Sequence, residues 1–63
     1  MKNLKVKKGQ IVNVTYKGIE EFAEVLNVCK YVGYTRVLTA VLTDNGMVKN
    51  TFDLSDILSI HSS

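Results

Sequence analysis

Cys29 and His61 are the one pair of side chains in this sequence whose types suggest nucleophilic chemistry. An imidazole can take the proton of a thiol and leave a reactive thiolate. That chemistry also needs a group to orient the imidazole and donors for the developing negative charge. Neither is recognisable around these two residues. Cys29 lies in a Val-rich run and reads as a core or interface residue, and His61 reads as exposed. Asp44 and Asn45 supply oxygens, but a tight turn asks for the same residue types. Gly9, Gly18, Gly33 and Gly46 are isolated and form no phosphate-cradling loop. No Cys/His cluster has the spacing of a metal site. The expectation is therefore a non-enzymatic protein with no cofactor and no metal.

Binding chemistry remains. Lys2, Lys5, Lys7 and Lys8 crowd the start of the chain, and Glu20, Glu21 and Glu24 crowd a later stretch around Phe22. A net charge of +2 is too small to imply a polyanionic partner on its own. Tyr31 and Tyr34, with Tyr16, stand near Lys30 and Arg36 and could form a stacking or peptide-binding surface.

The elements that must carry these groups are short. At 63 residues the chain is one small domain with a thin core. Residues 1–8 read as a basic, partly ordered segment whose Leu4 and Val6 alternate with lysines along a sheet edge; residues 9–61 read as the domain. Gln10 to Tyr16 alternates with period two, which places Val12, Val14 and Tyr16 on one face of a strand. Asp44-Asn45-Gly46, between two β-prone runs, is the strongest hairpin signal in the chain. A three-residue loop with Gly46 in the left-handed position would set Leu42 beside Val48, Ala40 beside Asn50 and Leu38 beside Phe52. That register buries a mostly apolar face and turns Val37, Val41 and Met47 outward. Asp53 or Ser55 can cap one helical turn, after which Leu58 and Ile60 alternate as a last strand.

Gly18 to Gly33 fits two structures. As a helix over about 19–32 it would gather Ile19, Phe22, Ala23, Leu26 and Cys29 on one face. As a strand it is rich in Val and Tyr but needs a bulge near Asn27 to keep its apolar residues together. The first choice gives an α+β, βαββ arrangement. The second gives a mostly β, five-stranded barrel with one short helical turn before the last strand.

The order of the elements favours the second. Lys8-Gly9-Gln10-Ile11-Val12-Asn13-Val14, then Lys17-Gly18, then Ala23-Glu24-Val25-Leu26-Asn27-Val28 resembles the opening of a KOW-type, SH3-like small barrel. Asp53-Leu54-Ser55-Asp56-Ile57-Leu58-Ser59-Ile60 resembles its closing turn and strand. The resemblance covers most of the chain and implies contacts with RNA or with transcription and translation machinery, made by a glycine and basic residues after the first strand. This chain keeps Lys17 and Gly18 but then places Glu20, Glu21, Phe22 and Glu24 there, and carboxylates repel phosphates.

The expected function is thus a small accessory or regulatory module that binds another protein through barrel loops, with Phe22, Glu20, Glu21, Glu24, Tyr31, Tyr34, Arg36, Val37, Val41 and Met47 as contact residues. One alternative is a nucleic-acid-binding barrel using Lys2, Lys5, Lys7, Lys8, Lys17 and Arg36 with the tyrosines. Another is a self-assembling subunit, a homodimer formed through the outer strip of the hairpin. One free cysteine and no secretory pattern suggest a cytoplasmic setting, and no apolar run approaches the roughly 20 residues that span a membrane.

Overall fold

The computed structural model describes residues 5–62. Five antiparallel strands form one sheet: β1 (Ile11–Tyr16), β2 (Ile19–Tyr31), β3 (Tyr34–Thr43), β4 (Gly46–Asp53) and β5 (Ile57–Ser62), in the order β4-β3-β2-β1-β5. One 3-10 turn, Leu54–Asp56, precedes β5. It is capped by Asp53, whose carboxylate accepts from the Ser55 backbone N–H at 3.2 Å. The protein is therefore mostly β, and the helix over 19–32 does not form.

The segment that fits two structures becomes β2, the strand on which the others depend. Its first half pairs with β1, Val12 opposite Ala23 and Tyr16 opposite Ile19. Its second half pairs with β3, Val28 opposite Val37 and Tyr31 opposite Tyr34. The expected bulge is present: the register shifts between Val25 and Asn27. The Asn27 side-chain oxygen accepts from the Val28 N–H at 3.0 Å, a local partner at the shift. The bulge is what allows a strand here, because it brings Ala23, Val25 and Val28 to the same side. The helical grouping is dispersed. Ala23 is buried, Leu26 and Cys29 are half-buried, and Ile19 and Phe22 are exposed.

One buried cluster contains Val12 and Val14 from β1, Ala23 and Val25 from β2, Val37 and Val41 from β3, Phe52 from β4 and Ile57 from β5. Phe52 and Ile57 come from opposite edges of the sheet, yet they share this cluster. A single sheet can achieve that only by curling around its inner face. β-branched side chains suit such a surface because they pack well against neighbours on a pleated sheet. The one polar side chain sealed inside β3, Thr39, donates its hydroxyl to the Asn50 carbonyl at 2.9 Å.

The hairpin falls where expected but in a different register. Thr43 pairs with Gly46, Leu42 with Met47, Val41 with Val48 and Val37 with Phe52. Gly46 has a φ of 101°, as the turn demanded. β4 presents the expected residues inward, Val48, Asn50 and Phe52, but β3 does the reverse. Val37 and Val41, expected outside, are fully buried, whereas Leu42 is exposed. The cause lies upstream. The turn at Val32-Gly33 fixes Tyr31 opposite Tyr34, and with the β2 bulge this sets Val37, Thr39 and Val41 against Val28, Val25 and Ala23. The inner face of β3 is thus set by its pairing with β2 rather than by the β3–β4 hairpin.

Bulges also reshape β5. Val14 pairs with Ile57, Asn13 with Ser59 and Val12 with Ile60, so Leu58 has no opposite residue. Ile57 rather than Leu58 enters the core. Residues 5–8 form no strand, and Leu4 lies outside the described residues. The segment is tied down all the same. The Lys7 N–H donates to the side-chain oxygen of the buried Gln10 at 2.7 Å, and the Gly9 N–H donates to the Val25 carbonyl at 2.8 Å.

Candidate interaction surface

The outward residues of the sheet lie in cross-strand rows. One row runs Ile11, Glu24, Ala40, Lys49 across β1 to β4. The next runs from Asn13 opposite Phe22 to Leu42 opposite Met47. Phe22, Leu42 and Met47 are 44%, 52% and 59% exposed, so about half of each of three large apolar side chains stands in solvent. With Ile11, Glu24 and Ala40 they line a groove of about 240 Å³. Ala40 is its low point, because a methyl group stands between longer neighbours. The His61 ring lies 4.7 Å from that of Phe22, tilted by 48°, and extends the apolar strip towards β5.

The acidic residues around Phe22 were expected in a loop, but they belong to β2. Alternation sends Glu20, Phe22 and Glu24 outward as one exposed stripe, in which carboxylates bracket an aromatic ring. Glu21 points the other way and lines a separate cleft near the β1–β2 and β3–β4 turns with Tyr16, Lys17 and Asp44. Met47 belongs to the surface as expected. Val37 and Val41 do not, because both are in the core.

Tyr31 and Tyr34 sit at the opposite end of the sheet, ring centroids 4.9 Å apart and nearly parallel, both exposed. Arg36 lies two pairs inward on the same outer face, opposite Cys29, and donates to the Thr51 carbonyl at 3.5 Å. The basic candidates are split. Lys5 and Lys7 meet Lys30 around a hollow of about 400 Å³ floored by Val6, Val28 and Leu54. Lys17 is at the far end, with its amino group 5.5 Å above the Tyr16 ring. Lys8 is exposed beside Gly9, and Lys2 lies outside the described residues.

Cys29 and His61 are not brought together. His61 packs on Phe22, seven residues along β2 from Cys29, roughly 23 Å at the rise of a strand. Among the described residues no group of His, Cys, Asp and Glu could hold a metal ion, and no helix is long and apolar enough to cross a membrane.

Leu42, Ala40 and Lys49 were not among the residues expected to face a partner. The parity set by the Val32-Gly33 turn and the β2 bulge would have placed Leu42 and Ala40 outside. No family model, curated protein or solved structure matches the chain.

Proposed function

We propose that this protein is a non-enzymatic interaction module, an SH3-like barrel in its strand order, that binds another protein through the outer face of its sheet. The supporting observation is the convergence of Phe22, Leu42 and Met47, from three different strands, on one open groove. Single exposed apolar residues are ordinary, whereas a contiguous strip marks an interface. The strip also has a chemical preference. Glu20 and Glu24 bracket Phe22, so the fitting partner presents an apolar side chain beside a basic one. Contact is made by strands rather than by loops, which gives a rigid, preformed surface. A lone thiol suits a reducing cytoplasm, the compartment proposed for it.

Affinity capture from the native host tests this, with Phe22→Ser and Leu42→Ser as controls that leave the buried cluster intact. A protein held by the parent and lost from both variants is the expected result. If every captured protein is retained equally by the variants, the outer face is not the binding surface.

A second reading, nucleic-acid binding, draws on the Lys5, Lys7 and Lys30 hollow at the end of the sheet that also carries the stacked Tyr31–Tyr34 pair. Phosphate contacts from lysines and base stacking on tyrosine are its natural chemistry. Binding that falls steeply between about 50 and 200 mM salt is the expected signature. No binding at the lower salt would remove this reading.

A further inference from the structure

The outer face has a symmetry of its own. Along one row, Ala40 on β3 is flanked by Glu24 on β2 and Lys49 on β4. Along the next, Leu42 is flanked by Phe22 and Met47. Each row therefore places complementary partners on either side of β3: acid against base, and ring against thioether. Glu24 and Lys49 stand two strand spacings apart, roughly 9.6 Å, with only a methyl group between them.

From this pattern we infer that the occupant of the groove is a second copy of this chain, packed face to face about a two-fold axis running along β3. The inference rests on the reading that the outer face binds protein, and it names that protein. Rotation about such an axis exchanges β2 and β4 and leaves β3 over itself. Glu24 then meets Lys49 of the second copy, and Phe22 meets its Met47, each contact occurring twice. Leu42 meets Leu42 of the second copy on the axis, and Ala40 meets its Ala40 in the next row. Sheets packed in this way lie about 10 Å apart, the depth that side chains of this size fill. The stated partner chemistry, an apolar group beside a basic one, is met by Met47 and Lys49. A stable pair needs roughly 1,200 Å² of buried surface in total, about 600 Å² from each copy. That is roughly an eighth of the 4472 Å² surface of this chain.

Light scattering on the size-fractionated full chain, over a concentration series at low salt, reads the mass. The parent is expected to be a dimer. Leu42→Arg should weaken association by at least about 100-fold, since it places a charge on the axis. Glu24→Lys and Lys49→Glu should each weaken it by about tenfold through two like-charge contacts, and the double variant should regain most of that loss. Circular dichroism confirms that each variant is folded. A monomeric parent at its highest soluble concentration overturns the inference, and so does a dimer insensitive to Leu42→Arg or a double variant no better than the singles. The host capture experiment is independent of these results. A monomer that still captures a different protein, in a manner sensitive to Phe22→Ser, refutes the second copy and keeps the interaction module.

Discussion

Val41 and Leu42 are adjacent on β3 and have opposite fates. Val41 is sealed in the buried cluster, and Leu42 projects into solvent beside Phe22 and Met47. The inner face of the sheet is built mainly from Val, with Ala23, Phe52 and Ile57, while the outer face carries the longer, more flexible apolar residues. Stiff β-branched side chains lose little rotamer freedom on burial, so they suit a cramped interior. Leu and Met keep their freedom until something covers them. The comparison shows that hydrophobicity alone does not choose the inside of a small sheet: on this β3, parity inherited from β2 outweighed the about 1 kcal/mol that burying the exposed half of Leu42 would have gained.

Four substitutions probe that contrast, each measured by urea or thermal unfolding. Ile57→Ala should have the largest effect. It empties a fully buried position that joins β5 to the rest of the cluster, at a cost of about 3 kcal/mol. In a domain this size each kcal/mol lowers Tm by about 4–8 °C. Gly46→Val should cost about 1–2 kcal/mol, since an L side chain would have to adopt a φ of 101° even though the space around it is open. Unchanged stability would mean the turn does not depend on this conformation. Thr39→Val should cost about 1 kcal/mol, because the Asn50 carbonyl loses its hydroxyl donor inside the core. A more stable variant would show that the buried hydroxyl is a burden. Leu42→Ser should change intrinsic stability by under about 0.5 kcal/mol when measured on dilute, unassociated chain. A loss as large as that of Ile57→Ala would place Leu42 in the core and erase the distinction between the faces.

Local chemistry was legible in the sequence. The period-two run of β1, the turn at Asp44-Asn45-Gly46, the cap at Asp53 and the bulge near Asn27 are all where their residue types indicate. What was not legible is parity carried over distance. Judged by the hairpin alone, burying Leu38, Ala40 and Leu42 is the better solution, and it fails only because β3 has a second neighbour. The same limit applies to β5, where the unpaired Leu58 shifts the alternation so that Ile57 and Ile60 face the cluster. For the surface, Phe22 and Met47 were recognisable as exposed, but Val37 and Val41 could not be separated from them without the register. Lys49 gave no local signal at all, because its interest lies in standing opposite Glu24 across Ala40.

The strand order has a consequence for how the chain reaches this state. β1 to β4 are joined by three tight turns, so each can zip onto its predecessor with little loop to close. β5 alone must return to a strand more than forty residues earlier, with Ile57 docking beside Val14. Closing that distance costs chain entropy before any contact repays it. The arrival of the last strand is therefore the expected slow step in folding. Until it arrives, the hydrogen-bonding edge of β1 is open, and a neighbouring chain can occupy it.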